Sequence, residues 1–267
     1  MAKGIYHRAE LLLGQAKMQY LSQKKVILFG IGGVGSWCAE SLIRTGITEL
    51  TIVDSDRVCI TNVNRQMMAT TKTVGQVKTE ALKERLLEIN PKANITALQK
   101  IYSKETSEEF ELSNYDVIID AIDSIGSKIH LIQSATKTDA LFVSSMGAAL
   151  KVDPTRIKVA SFWKVEGCPL GRRIRKVIRK LGVPTRDFLC VYSDEIHENA
   201  GENESCGTET CLCPKAENGP GDPDLVNHEW CSMKAVINGS LAHITAIFGF
   251  TLAGIIIKQL CEELTSE

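Results

Sequence analysis

Four glycines, Gly30, Gly32, Gly33 and Gly35, follow the apolar run Val26–Phe29, and polar and charged groups are scattered beyond them: Asp54, Asp56, Asn62, Arg65, Gln66, Lys78 and Asp123. A glycine-rich turn between a strand and a helix lets the backbone bend tightly and brings N–H groups close to phosphate oxygens at a helix N-terminus. By themselves the glycines point only to a nucleotide, most often NAD. The groups after the second strand separate the readings. A dinucleotide site needs little more there than one ribose-binding acid, which Asp54 supplies. Arg65 and Lys78 are what a triphosphate would need, and they could offset the charge that develops when its α-phosphorus is attacked. Asp123, in the turn Ala121–Ser124, is a carboxylate suited to Mg²⁺, which takes one or two carboxylates beside phosphate oxygens. A single Arg65 or Lys78 would read as a solvated helix-face charge. Together, after a glycine turn and at strand ends, they read as a site.

For these residues to meet, neighbouring parallel strands must carry them at their carboxyl ends. The hydrophobic pattern provides such strands at 26–29, 49–53, 94–98, 116–120 and 141–145, alternating with helices at 36–45, 74–89 and 124–138 and a short one near 104–112. Gly46 sits where a helix C-terminal glycine belongs. An N-terminal amphipathic helix is expected over 7–22, anchored by Leu11, Leu12, Leu13 and Met18. This alternation predicts an α/β fold, a doubly wound, mostly parallel Rossmann-like sheet with flanking helices and a C-terminal lobe. Beyond residue 150 it weakens: a strand pair over 152–163, a basic helix over 168–182, a long loop over 197–231 rich in Glu, Asn, Gly, Pro and Cys, and a last helix over 240–263. Residues 1–150 are therefore read as the nucleotide-binding part and 151–267 as a substrate-binding and dimerisation part of the same domain, with 197–231 mobile.

The 267 residues carry a net charge of −1 with 44% hydrophobic and 24% charged side chains, an ordinary soluble composition with no global field for nucleic acid or membrane. The N-terminal stretch has no apolar core of a secretory signal. Ile244–Lys258 is the most apolar stretch, shorter than the roughly 20 residues a membrane span needs, and is expected to be a buried helix or dimer interface rather than a stable insertion. Nine scattered cysteines suit reduced thiols in the cytoplasm. Cys206, Cys211, Cys213 and Cys231, with His228 nearby, could hold zinc, but Cys-x-Cys is awkward for two ligands of one tetrahedral ion, so zinc is disfavoured. Cys190 ends an apolar run and is expected to be buried rather than reactive.

The stretches GIGGVGSWCAESLIRTGI, IVDSDRVCITNVNRQ, VGQVKTEALKERLLEINP and VIIDAIDS carry a resemblance over about residues 8–165, renewed over 238–260. The chain resembles the ubiquitin-activating-like adenylating enzymes, which include the sulfur-carrier adenylyltransferases, and within them it is most similar to the branch that dehydrates threonylcarbamoyladenosine in tRNA. The resemblance implies that ATP lies on Gly30, Gly32, Gly33 and Gly35, that Asp54 binds ribose, and that Asn62, Arg65 and Lys78 contact the phosphates, with Asp56 and Gln66 beside them. It places Asp123 with Mg²⁺ and the α-phosphate, gives catalytic parts to Arg65, Lys78 and Asp123, and has Arg8 lent to the ATP of a second copy in a homodimer. It also implies a monovalent cation and a cysteine-desulfurase or sulfur-acceptor partner, and Cys190 matches a cysteine position of that branch. Relatives with structural zinc use Cys-x-x-Cys pairs, and this sequence has none.

Two substrates suit such chemistry: the C-terminal glycine of a sulfur-carrier protein, or a carboxylate on RNA. Residues 172–180 bear on the choice, since six of the nine are cationic: Arg172, Arg173, Arg175, Lys176, Arg179 and Lys180. A localised stripe of this kind in a chain of net charge −1 is a footprint for a phosphate backbone, and it tilts the reading towards tRNA. An NAD-dependent redox enzyme and a non-catalytic nucleotide sensor are the readings from other classes. No residue stands out as the general base for a ring closure.

Overall fold

The computed structural model describes residues 4–202 and 237–265, together with a short antiparallel backbone pair at 215–216 and 219–220. Its centre is a seven-stranded sheet. In chain order the strands are β1 (Lys25–Phe29), β2 (Glu49–Val53), β3 (Asn94–Leu98), β4 (Val117–Asp120), β5 (Leu141–Ser145), β6 (Ile157–Ser161) and β7 (Leu189–Ser193), arranged β3-β2-β1-β4-β5-β7-β6. All pairings are parallel except the edge pair β6–β7. β1 from Val26 to Phe29 and β4 from Val117 to Ile119 are apolar and buried, as expected for interior parallel strands covered on both faces.

The register decides where chemistry is possible. Phe29 is level with Val53 and Asp120, and Asp120 with Ser144. Gly30, Asp54 and Ala121 therefore leave the sheet along one edge, where Ser145 ends β5. The strand order reverses between β1 and β4, so a crevice opens there.

Helices cover both faces. On one lie α2 (Gln15–Gln23), α3 (Gly35–Thr45), α4 (Lys78–Ile89) and α7 (Ala242–Glu263), which bury Met18, Leu42, Leu82 and Phe248. On the other lie α5 (Ile125–Ala135) and α6 (Pro169–Leu181), which bury Ile129, Ile132, Ile174 and Ile178. α7 approaches α3 so closely that a Cβ on Gly249 would stand 2.5 Å from the Val34 carbonyl oxygen.

Several expectations are corrected. The N-terminal segment is two helices, α1 (His7–Leu13) and α2, broken at Gly14, whose φ is +84°. Met18 anchors this region as expected, joined by Leu21, whereas Leu11 and Leu12 are 73% and 84% exposed. The helix expected from residue 74 starts only at Lys78, because Gly75 turns at φ +92° and Val77 bridges to Arg57. The helix near 104–112 is two short 3₁₀ turns. In place of a strand pair at 152–163 there is one strand, β6, whose partner β7 lies some thirty residues on and inserts between β5 and β6. The sheet thus runs on past residue 150. The last helix has 22 residues, long and apolar enough by length and composition to cross a membrane, with half of its most apolar window buried inside the fold.

Candidate active-site groove

The glycine turn is shaped by close contacts. Gly30 has φ +82°, and a Cβ there would lie 2.6 Å from the Ala121 carbonyl oxygen. A Cβ on Gly35 would lie 1.9 Å from the Gly30 oxygen, so Gly35 sits behind the turn and makes it possible, while Gly30, Gly32 and Gly33 face the groove. A Cβ on Gly32 would meet only the Gln66 amide nitrogen, at 3.7 Å, which leaves its surface open. α3 starts with no side-chain cap, a setting that favours an anion at its N-terminus, while the Ser36 N–H donates back to the Gly32 oxygen at 3.2 Å. Ser36 ties the turn to the following segment, donating to the Gly32 oxygen at 2.7 Å and accepting from the Met67 N–H at 3.1 Å.

The acid at the end of β2 is held by backbone. Asp54 Oδ2 accepts from Ile31 N–H and Oδ1 from Asp56 N–H, both at 2.9 Å. Lys78, the first residue of α4, is 5% exposed, and its Nζ lies 2.7 Å from Asp56 Oδ2 and 3.8 Å from Asp54 Oδ1. Burial alone would lower the Lys78 pKa, but Asp54 and Asp56 outweigh it and hold the ammonium above its ordinary value. Burial raises Asp54, and Lys78 offsets part of the rise. The site is thus a fixed cation between two carboxylates.

Asn62 is buried, its Oδ1 accepting from the Cys59 N–H at 3.0 Å. The Arg65 guanidinium donates to the Thr61 oxygen at 2.8 Å and to Asn64 Oδ1 at 2.9 Å, while its backbone oxygen accepts from Trp37 Nε1 at 3.0 Å. Gln66 is 6% exposed beside the glycine turn. Asp123 is exposed, on a turn anchored from beneath. Lys128, wholly buried, contacts Asp120 Oδ2 at 2.8 Å and donates to the Ile122 oxygen at 3.0 Å. Ser144 Oγ donates to Asp120 Oδ2 at 2.6 Å, and Ile122 N–H donates to Asp120 Oδ1 at 3.1 Å. Sequence reading missed this clamp, although an acid closing a strand and a lysine eight residues on were available signals.

Gly30, Asp54, Asn62, Arg65, Lys78 and Asp123 line one groove of about 780 Å³. It continues past Gly147 to Lys151, Cys168 and Leu170, where α6 begins. Lys151 is 6% exposed, bonded to the Glu195 backbone oxygen, and burial pushes its pKa down. Neither Lys151 nor Cys168 was singled out from sequence, because only the β5–β7–β6 arrangement brings them to the groove. Arg8 lies on exposed α1 and is not part of the groove wall of its own chain. Arg172, Arg173, Lys176, Arg179 and Lys180 are exposed on α6, whereas Arg175 is half-buried and donates to the Phe162 oxygen at 3.0 Å. Cys190 is buried in β7, with burial raising its thiol pKa. Cys206, Cys211, Cys213, His228 and Cys231 lie outside the described residues, as does most of the 197–231 loop. Among the described residues no cluster of three His, Cys, Asp or Glu side chains could hold a metal ion.

The model of the ThiF family matches residues 6–266, nearly the whole chain. This chain belongs to the ThiF family. Among similar proteins, the tRNA threonylcarbamoyladenosine dehydratase of Bacillus subtilis is 42% identical over 71% of this chain and 74% of its own. That of Haemophilus influenzae is 33% identical over 91% and 88%. The E. coli tRNA N6-threonylcarbamoyladenosine dehydratase, solved in complex with ATP, superposes with a TM-score of 0.78 at 28% identity, covering 98% of this ThiF-family chain and 96% of that one. The expected Rossmann-like fold and family are both found.

Proposed function

We propose that this ThiF-family chain is an ATP-dependent tRNA threonylcarbamoyladenosine dehydratase. The observation that carries the reading is the continuity of one groove, from a glycine cradle with Asp54, Arg65 and Lys78 at one end to the start of a basic helix at the other. The similarity to dehydratases over most of the chain, one of them solved with ATP, supports it.

In this reading Asp54 accepts hydrogen bonds from the ribose hydroxyls, and the phosphates lie on the turn Gly30–Gly33 against the open end of α3. Asn62, Arg65, Gln66 and Lys78 surround them, with Asp56 holding Lys78 in place until the phosphates arrive. Asp123, exposed on its clamped turn, suits Mg²⁺, which would neutralise phosphate charge. A threonyl carboxylate oxygen of the modified adenosine attacks the α-phosphorus and pyrophosphate leaves. The neighbouring carbamoyl group then attacks the activated acyl carbon and loses a proton, and AMP leaves carrying the carboxylate oxygen. The nucleoside loses one water while ATP becomes AMP and pyrophosphate, an AMP-forming cyclisation. Arg65 and Lys78 stabilise the charge on the α-phosphate during both steps. Arg8 acts across a homodimer, on the partner's nucleotide.

The test is mass spectrometry of nucleosides after incubation with ATP, Mg²⁺ and tRNA carrying threonylcarbamoyladenosine, with gentle digestion. Loss of one water's mass, dependent on ATP and on Lys78, is the expected result. ATP turnover only on addition of a Gly-Gly-tailed carrier protein would replace this reading with sulfur-carrier activation.

A further inference from the structure

Trp163 lies outside the groove, in the short turn Phe162–Lys164 between β6 and α6, and is 37% exposed. It is braced from within. The fully buried Phe162 meets it edge-on with centroids 5.0 Å apart, and Phe162 itself stacks on Phe188 at 4.9 Å. Arg179 lies over the indole, 5.7 Å from its centroid, and Arg175 lies over Phe162 at 5.9 Å. The same turn and helix carry the exposed cations Lys164, Arg172, Arg173, Lys176 and Lys180. α6 carries six cations and no acid, and none of the described ion pairs draws on it.

A basic helix alone would accept any polyanion. A rigid, exposed aromatic ring among its cations narrows the choice, because an acidic peptide or inorganic polyphosphate offers nothing flat to stack on it. A lipid surface would need a broad apolar face, but Ile174 and Ile178 are spent in the core, which leaves Leu181 and Val183 as the exposed aliphatics at the end of α6. Single-stranded nucleic acid offers both features, phosphates for the cations and an unstacked base for the ring. We propose that Trp163 is a stacking platform for an unpaired base of the RNA whose backbone runs along α6. This rests on the tRNA reading of the groove and adds how the RNA is gripped outside it. Arg175 then serves the aromatic column rather than a phosphate, and Arg179 serves both ring and backbone.

The experiment measures binding of tRNA carrying threonylcarbamoyladenosine, a fully paired RNA duplex and phosphatidylserine vesicles, each over a range of salt. The variants are Trp163→Ala, Trp163→Phe and the pair Lys176→Glu with Lys180→Glu, each first shown to melt like the wild type. Trp163→Ala is expected to weaken tRNA binding roughly tenfold, with its salt slope and duplex binding unchanged, because stacking is not an ionic contact. Trp163→Phe should restore most of the loss, and in turnover Trp163→Ala should raise KM for tRNA and leave kcat alone. If Trp163→Ala binds tRNA like the wild type while the lysine pair binds weakly with a flatter slope, the platform is overturned and the RNA reading stands. If neither variant changes tRNA binding, both fall. Loss of vesicle binding without loss of tRNA binding would make this a lipid face and overturn the proposal.

Discussion

Gly30 and Lys78 show how narrowly the site is built. Gly30 combines φ +82° with a carbonyl oxygen 2.6 Å from where a Cβ would stand, so no side chain fits without moving the β4–α5 turn. Gly30→Ala should cost about 1–3 kcal/mol of stability, seen as a lower urea midpoint, and should weaken ATP binding in a calorimetric titration. A variant that binds ATP normally would show that the turn does not cradle phosphate. Lys78 answers two carboxylates, so Lys78→Met removes a phosphate contact and leaves Asp54 and Asp56 facing each other without their cation. Pyrophosphate exchange should fall by at least about a hundredfold, the scale of losing one preorganised charge contact. Retained exchange would remove Lys78 from the chemistry. Reading sequence alone could identify both residues, since glycine after a strand and lysine at a helix start are local signals. It could not show that Asp56, rather than Asp54, is the nearer partner of Lys78.

At the level of elements, the turn after β4 is held by the Asp120–Lys128–Ser144 cluster, fully buried between β4, β5 and α5. Lys128→Met leaves a buried carboxylate uncompensated, and the expected loss is about 3–5 kcal/mol in chemical unfolding. Adding Asp120→Asn should recover most of it, whereas an unchanged double mutant would mean that charge balance is not what the clamp supplies. α5 also carries His130, whose Nδ1 lies 3.1 Å from the Tyr102 hydroxyl on the groove wall. Burial, then Lys104 and Lys137, push the His130 pKa below 6.5, while burial pushes Tyr102 up to about 12. A depressed folded pKa means that the unfolded chain takes up the proton first. The contribution of His130 is therefore full above its ordinary value and is lost as pH falls through the lower folded one. Between about pH 7.5 and pH 5 the wild type should lose more thermal stability than His130→Gln, and parallel curves would refute the assignment.

Across the whole molecule, a helix distant in sequence from the glycine turn begins at the same groove, and the proposed function needs activation and RNA capture on one surface. Charge reversal at Arg172, Arg173 and Lys176 should weaken tRNA binding steeply and reduce the magnitude of its log–log salt slope by about 2 to 3, one phosphate contact per residue. An unchanged slope would detach α6 from the RNA. Arg8 tests the assembly. Alone, Arg8→Ala and Lys78→Ala should each be inactive, and mixing them should restore part of the activity if each site borrows Arg8 from its partner. No rescue in mixed dimers would exclude sharing.

The sequence by itself determined the parallel βα core, the glycine turn and the residues Asp54, Arg65, Lys78 and Asp123, because strand periodicity, glycine spacing and charge at strand ends are local properties. It also marked the basic helix, since a run of cations is visible without any fold. Only the tertiary structure decided that β7 slips between β5 and β6, for which strand pairing across some thirty residues leaves no local trace. From that pairing follow the places of Lys151 and Cys168 on the groove wall and the stacking of Phe162, which braces Trp163, on Phe188. The same holds for Leu11 and Leu12, which were legible as apolar residues of a helix, yet the helix breaks at Gly14 and the described residues of this chain leave them exposed. Burial is a property of what packs against a residue, and that is written in the rest of the chain.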